Sequence, residues 1–114
     1  MKKKPYLLDG AMGTTLNYRG VKTELPLWTA DANIMHPDLI QNIHSEYIDA
    51  GADYITTNTF RSTSWTYKRA GYTNDKAKIM AKKSLYSGVK CAQNASKGVV
   101  KIAGSITTLD DCYT

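Results

Sequence analysis

Residues 6–14 of the chain read YLLDGAMGT. The apolar segment 6–8 leads directly into Asp9, and two glycines, Gly10 and Gly13, follow. A short apolar segment of this kind is typical of a strand that enters a core. A carboxylate at the end of such a strand needs a partner, because burying an unpaired charge is prohibitively costly. The stretch therefore predicts a strand that ends at a polar site.

Two later segments have the same design. Residues 54–57, YITT, are β-branched and aromatic and end at Asn58, and residues 99–103, VVKIA, end at Gly104. Each of the three segments is predicted to be a mostly buried strand.

Helical patterns separate these strands. Residues 36–51 carry Pro37 where a helix would begin, apolar residues at helical spacing, and Gly51 where it would end. Residues 62–70 predict a shorter helix, and residues 75–95 predict a longer one. The face of the longer helix that is predicted to be buried consists of Ala77, Ala81, Leu85, Val89 and Ala92.

Strands that alternate with helices predict an α/β fold with a parallel sheet and right-handed crossovers. Ligands of such folds bind at the carboxyl ends of the strands, where the following loops begin. The unusual polar and glycine residues of this chain gather at those ends. The candidate substrate-binding residues are Asp9, Gly10, Thr57, Asn58, Thr59 and Ser105.

Asp9 and the glycines beside it indicate a kind of ligand. A carboxylate suits a ligand ammonium group, and glycines let backbone amides approach a ligand carboxylate. Together they favour an α-amino acid. The alternative is that Asp9 only caps a turn and that the glycines serve the geometry of that turn.

Length and charge exclude several classes of protein. The 114 residues suffice for one domain, and the net charge of +5 comes partly from residues 2–4 and partly from lysines of the 75–95 helix. This distribution favours a solvated surface over a nucleic-acid site. The basic start is followed by too short an apolar segment for an export signal, and no segment is long enough to span a membrane. We therefore expect a cytoplasmic protein without nucleic-acid or membrane partners.

Cysteine and histidine give no metal pattern. Cys91 and Cys112 do not form the C-x2–4-C unit of zinc ribbons and are expected to be reduced. His36 and His44 are not at the i, i+4 spacing of a helical metal pair, so His36 is interpreted as a helix-entry residue and His44 as structural. No residue of this chain is therefore predicted to ligate a metal.

Three segments resemble the start of the homocysteine S-methyltransferase family. They are LLDGAMGTTLNYRG at 7–20, PLWTADANIMHPDLIQNIHSEYIDAGADYITTNTF at 26–60, and VKIAGSIT at 100–107. The resemblance extends over residues 6–113. The motifs D-G-x-M-G-T, P-L-W, A-G-A-D and T-N-T-F occur in the family's order, and jointly they are specific.

The resemblance implies a (β/α)8 barrel of the TIM-barrel type with a zinc ion at its C-terminal mouth. The zinc would bind homocysteine through its sulfur, and the resulting thiolate would take a methyl group to give methionine. The implied partners are homocysteine and a small-molecule methyl donor, whose identity these residues do not indicate. By resemblance, Asp9 would hold the homocysteine ammonium and Gly10 would line the amino-acid site. The wall of the pocket would be completed by Thr57, Asn58, Thr59 and Ser105.

The family's three zinc cysteines lie far downstream of these motifs, and neither Cys91 nor Cys112 matches them. A (β/α)8 barrel needs about 250 residues, so residues 1–114 are expected to be its N-terminal part, with the first three strands and their helices. The zinc ligands are then expected downstream, and this segment alone is not expected to catalyse. Its open sheet edges would favour self-association.

Two alternatives remain open. One is a non-catalytic segment that binds an amino acid weakly or oligomerises. The other is a different (β/α)8 enzyme that uses Asp9 as a general base or a cation ligand.

Overall fold

A computed structural model describes residues 6–21, 27 and 29–105 of the chain. The helices predicted at 36–51, 62–70 and 75–95 are present with slightly different bounds, and two short helices are additional to the prediction. The elements are α1 (Met12–Tyr18), α2 (Ala32–Met35), α3 (Pro37–Asp49), β1 (Tyr54–Thr56), α4 (Ser64–Arg69), α5 (Asn74–Ser96) and β2 (Lys101–Ala103).

Helix α3 packs against β1 and α5. It begins at Pro37, whose fixed φ suits a first helical turn, where its missing N–H is not needed. Asp38 places negative charge in the same turn, which the helix dipole favours. The buried face consists of Ile40, Ile43 and His44, so the helix covers one side of the sheet.

The sheet is parallel, as predicted. Strands β1 and β2 pair in register with Ile55 opposite Ile102. Residues 6–8 add a single parallel bridge, Leu8 to Tyr54, on the other side of β1. The Asp9 backbone N–H continues this contact by donating to the Tyr54 carbonyl at 3.1 Å. The three segments therefore lie side by side, and their carboxyl ends meet at one edge of the sheet.

The prediction that all three segments are mostly buried is wrong for two of them. Leu7 and Leu8 are 52% and 70% exposed, and Val99 is 79% exposed. Val99 is exposed because it precedes β2, in a turn where the Ser96 hydroxyl donates to the Val100 carbonyl at 2.6 Å. Within the described residues, only the central strand has a fully buried apolar side chain, that of Ile55.

The buried face of α5 also differs from the prediction at one position. Leu85 is 46% exposed, whereas its neighbour Ser84 is fully buried. Ser84 can be buried because its hydroxyl donates to the Ala30 carbonyl at 2.7 Å. The apolar pattern of the sequence predicts that Leu85 is buried, but the hydrogen bond to Ala30 places Ser84 in the buried position instead.

Gly88 is buried on the same face of α5, one turn after Ser84. A Cβ at this position would lie 2.8 Å from Asn33 Nδ2 and 3.0 Å from the Asn58 carbonyl oxygen. Only glycine leaves room for these groups. The helix can therefore approach α2 and the end of β1 closely.

Two apolar clusters hold the helices together. One contains Leu16, Ala32, Ile40, Ile43 and Cys91, and the other contains Ala30, Tyr67, Ala77 and Ala81. No helix in residues 6–21, 27 and 29–105 is both long enough and apolar enough to cross a membrane. Cys112, for which the sequence predicts no metal role, lies outside the described residues.

Candidate functional site

A cavity of about 440 Å³ opens at the carboxyl ends of the strands. Five of the six candidate residues line it, and Thr59 does not. Seven further lining residues were not among the candidates: residues 11–14 after Gly10, and Thr29, Thr56 and Phe60. The complete lining is residues 9–14, 29, 56–58, 60 and 105.

Asp9 is fixed at this cavity by the neighbouring strand. Its carboxylate accepts the Thr56 backbone N–H at 2.8 Å and the Thr56 hydroxyl at 3.0 Å. Both bonds join Asp9 to β1. A residue that caps a turn would bind the backbone of the loop that follows it, so these two bonds do not correspond to a turn-capping role. A carboxylate has about four acceptor positions, so Asp9 can still accept hydrogen bonds from a ligand.

Gly10 lies directly over the ring of Tyr47. A Cβ on residue 10 would come within 2.5 Å of the Tyr47 hydroxyl oxygen, so only glycine fits without a shift. The Tyr47 hydroxyl donates to the Ala11 carbonyl at 3.2 Å. It also lies 3.2 Å from the Thr15 hydroxyl, which itself donates to Ala11. Helix α3 thus holds the loop that forms one side of the cavity.

Thr57, Thr59 and Ser105 form a closed set of hydrogen bonds between the ends of β1 and β2. The Thr59 hydroxyl donates to the Ser105 carbonyl at 2.8 Å, so its 2.8 Å contact with Thr57 Oγ1 must use the Thr57 proton. The Ser105 N–H in turn donates to Thr57 Oγ1 at 3.3 Å. Neither hydroxyl keeps a proton for a ligand, but Thr57 Oγ1 keeps a free lone pair.

Asn58 lines the cavity, but its side-chain amide is engaged by the protein. Its Nδ2 donates to the Thr29 carbonyl at 2.9 Å and to Asn33 Oδ1 at 2.8 Å, which uses both protons. Its Oδ1 accepts the Thr29 hydroxyl at 2.5 Å. The amide therefore has no N–H left for a ligand. Sequence reasoning placed Asn58 at the correct edge of the sheet but could not give the direction of its side chain.

The hydrogen bonds determine what this wall can recognise. The Asp9 carboxylate and Thr57 Oγ1 can accept from a ligand, whereas the protons of Thr57, Thr59 and Asn58 are already used. An acceptor-rich wall with one fixed negative charge suits a cationic donor such as an ammonium group. A neutral or anionic acceptor would find few partners on this side.

His44 lies on α3 and is fully buried. Neither ring nitrogen has a hydrogen-bond partner among the residues that the structure describes. Burial lowers the pKa of His44 below its usual value, and the negative charge of Asp9 partly opposes this shift. The imidazole is therefore neutral at pH 7.

The zinc implied by the resemblance does not fit these residues. In residues 6–21, 27 and 29–105, no group of three or more His, Cys, Asp or Glu side chains could hold a metal ion. Cys91 lies away from the cavity, on α5, and its thiol donates to the Pro37 carbonyl at 3.3 Å. Burial raises the pKa of this thiol, so it is a poor metal ligand.

The fold and the cavity define a class of protein, an α/β protein with a cavity at the carboxyl ends of parallel strands. The homocysteine S-methyltransferase family model matches residues 6–114. The chain belongs to this family.

Individual relatives agree with this assignment. The chain is 32% identical over 110 residues to homocysteine S-methyltransferase of Escherichia coli, covering 92% of the chain and 36% of that protein. It is 30% identical over 98 residues to homocysteine S-methyltransferase 1 of Arabidopsis thaliana, covering 86% of the chain and 30% of that protein. The chain thus spans about a third of the length of these curated relatives.

Two solved structures are also similar. The oxidized form of the homocysteine methyltransferase MmuM from Escherichia coli superposes with a TM-score of 0.76 at 28% identity, over 90% of this chain and 37% of that one. Its metallated form gives a TM-score of 0.69 at 29% identity, over 92% of this chain and 38% of that one. The mixed α/β fold and its parallel sheet therefore correspond to a part of a homocysteine methyltransferase.

Proposed function

We propose that this chain supplies the amino-acid-binding wall of an enzyme that transfers a methyl group to the thiol of homocysteine, giving methionine. The observation that carries the proposal is the Asp9 carboxylate, held by Thr56 at a cavity whose wall offers acceptors to a ligand. Asp9 would bind the substrate ammonium, and residues 10–13 would line the amino-acid site. Thr57 would accept a second hydrogen bond from the ammonium, while Asn58, Thr59 and Ser105 would shape the wall.

The wider expectations belong to the same proposal. They are a complete (β/α)8 barrel, of which residues 1–114 form the N-terminal part, a cytoplasmic location, and zinc bound by residues other than those described. A small molecule would donate the methyl group. The family assignment supports the methyl transfer, and the metallated form of MmuM supports a bound metal.

A binding experiment on the 114-residue chain tests the role of Asp9. We expect L-homocysteine to shift the backbone NMR signals of Asp9, Gly10 and Thr57, and 4-mercaptobutyrate, which lacks the amino group, to bind at least tenfold more weakly. The variant Asp9→Asn keeps the size of the side chain but removes its charge, so it should lose this preference. The matched control Asp38→Asn removes an exposed charge from α3 and should keep the preference. Equal binding of both ligands to the wild type would contradict the proposed role.

A second candidate is a segment that binds an amino acid without catalysing a reaction. The lack of a metal-binding group among the described residues favours it for this chain taken alone. An assay of methyl transfer from S-methylmethionine to homocysteine separates the two candidates. The assay uses a chimaera in which residues 1–114 replace the corresponding part of the Escherichia coli homocysteine S-methyltransferase, because neither candidate expects turnover by the 114-residue chain alone. Turnover by this chimaera would exclude the non-catalytic candidate, whereas a folded chimaera that binds homocysteine without turnover would support it.

A further inference from the structure

A pair of buried asparagines lies directly behind the cavity. Asn33 is completely buried, with an exposed fraction of 0%, and it does not line the cavity. It makes two hydrogen bonds to Asn58. Its Nδ2 donates to the Asn58 carbonyl at 2.5 Å, and its Oδ1 accepts Asn58 Nδ2 at 2.8 Å. These bonds fix both the peptide group and the side chain of Asn58.

Asn58 passes this constraint on to the cavity. The remaining groups of its amide bind Thr29, which lines the cavity. Asn58 therefore joins Asn33 on one side to Thr29 on the other, and it lies two residues after the end of β1. A movement of Asn33 would displace two parts of the wall at once.

Asn33 is itself held by α5. Its Nδ2 donates to the Ser84 carbonyl at 3.1 Å and lies 3.2 Å from the Ser84 hydroxyl. The Ser84 hydroxyl in turn donates to the Ala30 carbonyl, in the same segment as Thr29. The close approach at Gly88 brings α5 within reach of these bonds. Since all of these groups are buried, removing one donor would leave several acceptors without a partner.

We propose that Asn33 is a positioning residue for the homocysteine site, acting through Asn58 to set the wall formed by Thr29 and the carboxyl end of β1. The inference rests on the proposed function and assigns a role to a residue that touches no ligand. Asn58 then supports the cavity wall through the hydrogen bonds of its amide to Asn33 and Thr29, and its amide N–H groups do not bind the ligand.

The test uses the 114-residue chain and the variant Asn33→Asp. This variant keeps the size of the side chain but places an oxygen where Nδ2 faces the carbonyls of Asn58 and Ser84. We expect the Kd for L-homocysteine to rise at least tenfold, measured by NMR titration at a temperature where circular dichroism shows both proteins fully folded. We also expect slow hydrogen exchange of the Asn58 side-chain NH2 in the wild type and fast exchange in the variant.

Ser96→Ala is the matched control. It also removes a buried hydrogen bond of α5, but at the C-terminal end of that helix, about three turns beyond Ser84. Its Kd should stay within twofold of the wild type, even where its melting temperature falls as much as that of Asn33→Asp. This comparison separates positioning from general loss of stability.

The outcomes are distinct. An unchanged Kd in folded Asn33→Asp would overturn the positioning role. If Asn33→Asp does not fold, Asn33→Ala replaces it, because that variant removes both hydrogen bonds to Asn58 without adding a charge. A Kd raised at least tenfold in Asn33→Ala supports the role, and an unchanged Kd overturns it. Failure of the wild type to bind homocysteine would contradict the proposed function. In that case, fast exchange of the Asn58 NH2 in the wild type would show that the pair does not hold the wall either.

Discussion

Asp9 and Thr56 are joined by two hydrogen bonds, one from the Thr56 backbone N–H and one from its hydroxyl. The backbone bond extends the contact between residues 6–8 and β1 by one position. The hydroxyl bond orients the carboxylate. The acid that the sequence places at the end of an apolar segment is therefore part of the link between strands as well as part of the cavity.

Thr56→Val should separate these two contributions. Valine keeps the shape of threonine and its preference for strands, so only the hydroxyl bond to Asp9 is lost. We expect the free energy of unfolding to fall by about 1 kcal/mol, because a hydrogen bond to a charged group contributes about this much when it is partly exposed. Urea denaturation measures the change, and the affinity for homocysteine should fall with it. Wild-type stability in Thr56→Val would show that the hydroxyl bond does not hold Asp9.

Gly10→Ala should force Tyr47 away from the cavity loop. The new Cβ would lie 2.5 Å from the Tyr47 hydroxyl oxygen, so the ring must move and lose its contact with Ala11. We expect a loss of about 1–3 kcal/mol in the free energy of unfolding, as for other overpacked sites.

Gly104→Ala provides the control for this prediction. A Cβ on Gly104 would meet no atom of the described residues within 4 Å, so the free energy of unfolding should change by less than about 0.5 kcal/mol. The double variant Gly10→Ala with Tyr47→Leu should recover part of the loss, because the shorter side chain leaves room for the methyl group. Equal stability of Gly10→Ala and Gly104→Ala would contradict the close approach of Tyr47.

The buried His44 should make stability depend on pH. An exposed histidine has a pKa of 6.5, whereas burial, partly opposed by Asp9, lowers the pKa of His44 in the folded protein. Between these two values the unfolded chain binds more protons than the folded one. The free energy of unfolding should therefore decrease as the pH falls below about 6.5, and this contribution should level off below the folded pKa.

His44→Leu removes this titration. In a series of urea denaturations from pH 8 to pH 5, the variant should lose less stability on acidification than the wild type. At pH 8 it should be as stable as the wild type or more stable by about 1 kcal/mol, because two buried nitrogens that lack partners among the described residues are replaced by apolar atoms. The same decline with falling pH in both proteins would mean that His44 does not titrate in this range.

The topology and the location of the site follow from simple sequence patterns. Alternating strands and helices require a parallel sheet, and a parallel sheet brings the residues after each strand to one edge. This reasoning places Asp9, Thr57, Asn58 and Ser105 at one cavity, where the structure also has them.

The orientation of side chains at that edge does not follow from the same patterns. Asn58 faces the protein because Asn33 and Thr29 bind its amide, and nothing in the spacing of apolar residues indicates a buried polar pair. Helix α2, which carries Asn33, has only four residues and leaves no periodic signal. Similarly, Ser84 and Leu85 are adjacent on α5, and the hydrogen bond from Ser84 to the Ala30 carbonyl, which is distant in sequence, determines that Ser84 is the buried one.

Gly88 has a consequence for protein engineering. In an ordinary helix of this length, replacing an interior glycine by alanine would add about 1 kcal/mol of stability, and a consensus or propensity-based redesign would choose that substitution. Here the added methyl group would press on the Asn33 amide and on the Asn58 carbonyl. The gain in helix propensity would be offset by a displacement of Asn58, which lines the cavity although Gly88 does not. A thermostabilised form of this chain should therefore keep glycine at position 88.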